Sequence, residues 1–70
     1  MSIPIGANIR SLRKKKGMTQ RQVAHCLRVS IQAVSKWEQG KAYPDLTLLL
    51  PLAELFDISL DELFGRDQMA

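Results

Sequence analysis

Four side chains able to hydrogen-bond to a polar partner share one side of residues 31–39 with one apolar side chain. They are Gln32, Ser35, Lys36 and Gln39, together with Ile31. At about 100° per residue of an α-helix, they fall within about 140° of arc, opposite Val34 and Trp37. Glutamine can pair with adenine, lysine can donate to guanine O6 and N7, and isoleucine can touch a thymine methyl. This face is therefore suited to recognise base edges in the DNA major groove, although an ordinary solvated helix face would look similar.

The charge of the chain is distributed unevenly. Residues 1–41 hold nine Lys or Arg residues and one acid, for a net charge of +8. Residues 42–70 hold one Arg and six acids, for a net charge of −5, so that the whole chain carries +3. A basic half favours a polyanionic partner. The alternative is a solvated surface whose charges only serve solubility.

Helices must position the polar face, and the sequence predicts five helices and no strand. Their expected ranges are 5–16, 20–27, 31–39, 46–56 and 60–64. Thr19 with Gln22 and Ser59 with Glu62 have capping-box spacing, and Ser30 is expected to cap the third helix. No internal repeat is evident. The predicted fold is an all-α, compact five-helix bundle.

The fourth predicted helix contains a proline. Asp45 is expected to cap this helix, but Pro51 lies inside it, where proline removes a backbone hydrogen bond and crowds the preceding turn. We therefore expect either a kink near residues 47–51 or a helix that begins later. Its apolar residues should supply much of the core: Leu48, Leu49, Leu52, Ala53 and Phe56.

Seventy residues predict a single domain, 1–70, with its core at about 5–64 and a tail at 66–70. No apolar run reaches the roughly 20 residues of a membrane span, and the N-terminus lacks the pattern of a signal peptide. The single Cys26 fits a reducing compartment. We therefore expect a cytoplasmic protein without a membrane partner, associated with the nucleoid when it binds DNA.

Catalytic and metal-binding patterns are absent from the sequence. His25 and Cys26 are adjacent, but a metal site would need further ligands at workable spacing. Cys26 is interpreted as a bystander thiol, with a redox switch as the alternative. Because no nucleophile–base pair and no phosphate-binding glycine loop occurs, we expect no enzyme, no cofactor and no small-molecule ligand.

Short motifs occur in a fixed order along the chain. They are Met18-Thr19-Gln20, Val23-Ala24, Leu27-x-Val29-Ser30, Val34-Ser35-Lys36-Trp37-Glu38-x-Gly40-Lys41, Tyr43-Pro44-Asp45, Leu52-Ala53-Glu54-Leu55-Phe56 and Ser59-Leu60-Asp61-Glu62-Leu63. In this combination the chain resembles the Cro/cI-type (lambda repressor-like, xenobiotic-response-element) helix-turn-helix family over about residues 5–64. The resemblance implies that helices two and three form the DNA-reading unit.

The resemblance also implies roles for individual residues. Ile31, Gln32 and Lys36 match positions that meet base edges, and Ser35 shares their helical face. Gln20 matches a position that binds a DNA phosphate, and Ser30, Lys41 and Tyr43 match positions near the DNA backbone, with Arg10 and Asn8 as further candidates on the first helix. We also expect Thr19, Arg28, Gln39 and Arg13 to lie near the DNA backbone.

The function implied is that of a sequence-specific, double-stranded DNA-binding transcriptional regulator, expected to be a repressor. Its expected partner is an inverted-repeat operator bound by a homodimer. Leu50, Leu60 and Phe64 are candidate dimer contacts, although they can equally belong to the monomer core. The alternative function is a helical protein-interaction module, such as an antitoxin or adaptor that retains the fold.

Two positions leave alternatives open. Similar proteins pair Glu38 with an arginine at the Arg13 position, either as an ion pair that joins two helices or to set the pose of helix three, with Arg13 also touching phosphate. Arg28 stands where the family usually has glycine in the turn. Either Arg28 adopts a left-handed conformation, at a cost on the order of 1 kcal/mol, or the turn is altered.

Overall fold

The computed structural model describes residues 4–65 of the chain. Its helices are α1 (Ile5–Lys15), α2 (Gln20–Leu27), α3 (Ile31–Glu38), α4 (Leu49–Leu55) and α5 (Leu60–Phe64), with a 3₁₀ turn at Leu46–Leu48 before α4. The all-α expectation is confirmed, and four of the five predicted helices agree to within one residue at each end. The tail expected at 66–70 lies outside the described residues. No helix between residues 4 and 65 is long and apolar enough to cross a bilayer.

Local capping explains where α2 and α5 begin. The Thr19 hydroxyl accepts a hydrogen bond from the Gln22 backbone N–H at 3.1 Å, and the Gln22 side chain accepts from the Thr19 N–H at 2.8 Å. Ser59 and Glu62 repeat this box. The Ser30 hydroxyl likewise accepts from the backbone of α3. Such caps satisfy N–H groups that have no partner within the helix, and each typically contributes about 1 kcal/mol.

The fourth helix differs from its predicted range of 46–56. It starts as the 3₁₀ turn and becomes α-helical only at Leu49. Pro51 therefore lies in the first turn of α4, where a backbone N–H would have no partner within the helix. The later start, one of the two expected outcomes, is the correct one. Asp45 makes no side-chain cap; its carboxylate instead accepts a hydrogen bond from the Thr47 hydroxyl at 2.9 Å.

The core lies where the five helices meet. Its buried members are Ile5, Ile9, Val23, Ala24, Leu27, Val34, Trp37, Leu52, Phe56 and Leu63. Trp37 is thus a core residue. Leu48 and Leu49, expected to supply the core, are only half-buried and pack against the edge of this cluster, as do Leu12 and Ala33.

The N-terminal end of α1 approaches the C-terminal end of α3 very closely. Gly6 is buried, and a Cβ added to it would overlap the backbone carbonyl of Trp37. No flexible side chain could move away to make room, because the obstacle is backbone. Gly6 therefore permits the approach that brings α1 against the last turn of α3.

Two of the turns are built in the same way, although no repeat was expected. Arg28, after α2, has φ 59°, and Asp57, after α4, has φ 57°. In each turn the next residue donates its backbone N–H to the backbone carbonyl oxygen of a buried alanine. That alanine is Ala24 in the first turn, at 3.0 Å, and Ala53 in the second, at 2.9 Å. A capped helix follows in both cases. The first corner is residues 20–38 and the second corner is residues 49–64.

Candidate nucleic-acid interface

The outer face of α3 carries the residues expected to read bases. Gln32 and Lys36 are exposed, whereas Ile31 and Ser35 are half-buried. Ile31 packs partly against the core, so only part of its side chain remains available to a ligand. The face therefore presents two long polar side chains flanked by two shorter contacts.

An ion pair fixes the inner edge of this face. Arg13 Nε donates to Glu38 Oε2 at 2.7 Å, and Arg13 Nη2 donates to Glu38 Oε1 at 3.1 Å. The side chains are 13% and 4% exposed, respectively. Arg13 Nη1 also donates to the Met18 carbonyl at 2.8 Å. Arg13 thus joins α1, the α1–α2 loop and α3.

The surroundings of Arg13 favour its charged form. The hydrogen bond to Glu38 raises the pKa of Arg13 above its ordinary value, partial burial opposes this, and the charge of Glu38 adds to the rise. Arginine is protonated in proteins in any case, and these contacts stabilise that charged form. All three guanidinium nitrogens already have protein partners, which supports the ion-pair interpretation; a phosphate contact by Arg13 stays a prediction.

Glu38 also orients Gln20, the first residue of α2. Gln20 Nε2 donates to Glu38 Oε1 at 3.1 Å. An amide nitrogen has a second N–H, and the Gln20 carbonyl oxygen can accept as well. The Glu38 carboxylate therefore accepts hydrogen bonds from two residues, Arg13 and Gln20. Gln20 still has one N–H and its carbonyl oxygen free of partners among residues 4–65, and both can hydrogen-bond to a ligand.

Several residues expected to contact the DNA backbone meet in one depression. Arg10, Arg13, Gln20 and Gln39 line it together with Glu38. Arg10 is exposed and adds a positive charge beside the Gln20 amide. The depression joins α1, the start of α2 and the end of α3, so it can accept a negatively charged group beside the base-reading face.

The other residues predicted to contact the DNA backbone do not line this depression. Thr19 and Ser30 use their hydroxyl oxygens to cap helices, while their hydroxyl protons can still donate. Arg28 is exposed and adopts the left-handed conformation, which selects the first of its two alternatives. Lys41 and Tyr43 are exposed beyond the end of α3.

Asn8, the further candidate on the first helix, does not line this depression. Its side-chain amide donates to the Leu63 carbonyl at 3.0 Å and so ties α1 to α5. Because this contact uses the amide to hold the second corner, Asn8 supports the bundle rather than the face of α3.

The comparisons with known proteins agree with this geometry. A family model described as helix-turn-helix matches residues 9–63. The chain belongs to the helix-turn-helix family. The Cro/cI-type resemblance is thereby confirmed.

Relatives of this helix-turn-helix protein differ in length. It is 39% identical over 61 residues to the HTH-type transcriptional activator BcrR of Enterococcus faecalis, a match covering 87% of this chain and 30% of BcrR. The chain spans between 30% and 52% of the length of three curated relatives it matches. The similarity to BcrR is therefore a similarity to one part of a longer protein.

Solved structures resemble the helix-turn-helix protein over nearly its whole described length. The P22 c2 repressor in complex with a synthetic operator superposes with a TM-score of 0.81 at 33% identity, covering 90% of this chain and 96% of that one. The controller protein C.AhdI from Aeromonas hydrophila gives a TM-score of 0.78 at 31% identity, covering 87% and 92%. The bundle is thus the fold of these proteins.

Sequence reasoning missed two contacts of this helix-turn-helix surface. The Met18 carbonyl accepts from Arg13, and no sequence signal marks a backbone carbonyl as a partner. Gln39 Nε2 donates to the Ser35 hydroxyl oxygen at 2.9 Å. Their spacing of four residues along a helix could have suggested this second contact.

Proposed function

We propose that residues 5–64 form a sequence-specific, double-stranded DNA-binding unit of a transcriptional regulator. One observation carries this proposal: α3 exposes Gln32 and Lys36, and its C-terminal end lines a depression together with Arg10 and Gln20. Base contacts give specificity and phosphate contacts give register and affinity, and this surface offers both side by side. The solved complex of the P22 c2 repressor with an operator supports the same activity.

We assign the exposed residues of this surface to two kinds of contact, with bases and with phosphates. Gln32 and Lys36 read bases from the exposed face of α3, with Ser35 and Ile31 in closer, shorter contacts. The residues proposed to bind phosphates are Thr19, Gln20, Arg28, Ser30, Gln39, Lys41, Tyr43, Arg10 and Arg13. The activity is binding, and we propose no catalytic step.

We propose repression as the regulatory outcome and the cytoplasm as the location. A protein that occupies an operator can block transcription without any further surface, whereas activation needs contacts beyond the DNA-binding unit. The similarity to the P22 c2 repressor, whose solved complex superposes with a TM-score of 0.81, supports repression.

We further propose that the protein binds an inverted-repeat operator as a homodimer. Leu46, Leu50 and Leu60 are 79%, 58% and 39% exposed, and all belong to the 3₁₀ turn and the second corner. An apolar depression lined partly by Tyr43 and Phe64 adjoins them. To read two half-sites one turn of DNA apart, such a dimer would have to hold its recognition helices about 34 Å apart.

Selection of bound sequences from a random DNA pool tests the DNA-binding proposal. The wild type should enrich a motif of two inverted half-sites, and a Gln32→Ala, Lys36→Ala variant should lose it. A matched control, Glu54→Ala with Asp61→Ala, changes two exposed polar residues of the second corner and should retain the motif. If the wild type enriches no sequence, the protein-interaction alternative gains support.

Sedimentation velocity tests the dimer separately. Leu50→Glu should shift the protein toward monomer and weaken binding to the full operator more than to one half-site. Gln22→Glu adds the same charge on the exposed surface of α2 and serves as the control. A wild type that stays monomeric both free and on its full operator would contradict the dimer proposal.

A further inference from the structure

The end of α3 holds a hydrogen bond between two polar side chains on the proposed DNA-facing surface. Gln39 Nε2 donates to Ser35 Oγ at 2.9 Å. Gln39 is the C-terminal cap residue of α3, and its backbone N–H donates to the Ser35 carbonyl. Two contacts therefore link Gln39 to the same residue, one through the backbone and one through the side chain.

The direction of the side-chain bond decides what Ser35 can offer to a ligand. A serine hydroxyl has one proton to donate and two lone pairs that accept. Because Gln39 supplies the N–H, one lone pair of Ser35 is filled and the hydroxyl proton is left over. Within residues 4–65, Ser35 Oγ donates to no protein acceptor. Ser35 therefore presents its hydroxyl proton together with one unfilled lone pair.

We propose that Gln39 is a positioning residue that sets the base preference of Ser35. This inference rests on the proposed function. Because one of its lone pairs is already filled, the hydroxyl favours bases that present only acceptors in the major groove, namely guanine through O6 and N7 or thymine through O4. Adenine offers both the N7 acceptor and the N6 donor, and cytosine, whose edge offers the N4 donor, is disfavoured. Gln39 thereby acts on specificity through Ser35, in addition to its predicted contact with the DNA backbone.

Gln39→Glu tests the inference because it reverses the bond. A carboxylate only accepts, so the Ser35 hydroxyl would donate to it and present its lone pairs to the groove. The preference at the base facing Ser35 should then move from guanine or thymine toward cytosine or adenine. The ratio of affinities should change on the order of 3- to 10-fold, the range of one neutral hydrogen bond.

A double-mutant cycle separates this switch from the added charge. Gln39→Glu also weakens binding to all sequences by placing a negative charge near phosphates. In a Ser35→Ala background the same substitution should keep that uniform weakening but change no base preference. Gln39→Glu also places a negative charge at the C-terminal end of α3, so it should lower the melting temperature slightly, and by the same amount in both backgrounds.

Binding selections with the four proteins distinguish the outcomes. A change of preferred base at one position per half-site, present only when Ser35 is present, supports the inference. A wild-type motif that Gln39→Glu leaves unchanged, with only uniformly lower affinity, overturns it and leaves Gln39 as a simple backbone contact. If the wild type enriches no motif, the proposed function itself fails, which is a different result.

Discussion

The first and second corners share one backbone design but differ in charge. Both turn through a left-handed residue, anchor the turn on a buried alanine and start the next helix at a serine cap. The turn residue is Arg28 in the first corner and Asp57 in the second. Exposed Lys36 follows in α3, whereas exposed Asp61 follows in α5. The helix-turn-helix backbone is therefore not sufficient to bind DNA, because the second corner would repel phosphates.

Core substitutions should break both corners equally and have the largest effects. Leu27 and Phe56 occupy equivalent buried positions, at the end of α2 and just after α4. Leu27→Ala should cost about 2–5 kcal/mol of unfolding free energy and Phe56→Ala about 3–5 kcal/mol, measured by urea denaturation. Lys14→Ala, at an exposed residue of α1, should stay within about 0.5 kcal/mol. A folded, barely destabilised Phe56→Ala protein would show that the second corner is dispensable.

The side chains that attach each corner to α1 should differ in strength. Arg13→Ala leaves the nearly buried Glu38 carboxylate without its cation and should cost about 3 kcal/mol. Asn8→Ala removes one neutral hydrogen bond to α5 and should cost about 1 kcal/mol. Thermal melts give both values. Replacing Arg13 by Met and Glu38 by Leu together should recover much of the loss; no loss in Arg13→Ala would refute the ion pair as a stabiliser.

Reversing the charges of exposed side chains should change DNA binding only when the substitutions are made in the first corner. Arg28→Asp with Lys36→Glu should lower operator affinity roughly 100-fold or more and reduce the salt dependence of binding. Fluorescence anisotropy at several salt concentrations measures both. Aspartate tolerates the left-handed conformation, as Asp57 does, so the fold should persist. Asp57→Arg with Asp61→Lys should leave the operator motif unchanged; a new motif would mean that α5 can also read DNA.

Glycine substitutions should give the smallest effects and refine the comparison. Both left-handed residues carry a steric penalty that glycine lacks, although glycine also raises the entropy of the unfolded chain. Arg28→Gly should stabilise the fold by about 0.5–1 kcal/mol, and Asp57→Gly by less, because aspartate already tolerates this conformation. Only Arg28→Gly should weaken DNA binding. Destabilisation by Arg28→Gly would argue against the positive φ at that position.

The predictable parts of the fold are those controlled by nearby residues. Thr19 with Gln22 and Ser59 with Glu62 form their boxes across three residues, so the sequence alone locates those helix starts. Pro51 illustrates the limit. Its presence restricts α4, but whether the helix kinks or starts late depends on how Leu46–Leu48 packs, and the sequence left both outcomes open.

The sequence by itself determined the helical bundle, the helix-turn-helix pattern and the polar face of α3, because periodicity and capping act within a few residues. Only the tertiary structure decided that Glu38 accepts hydrogen bonds from both Arg13 and Gln20. It likewise decided that Asn8 donates a hydrogen bond to α5 and that Gly6 lies against the backbone of Trp37. These contacts join residues 18 to 55 positions apart, or depend on helix approach. Their partners are chosen by the packing of whole helices, which no local pattern encodes.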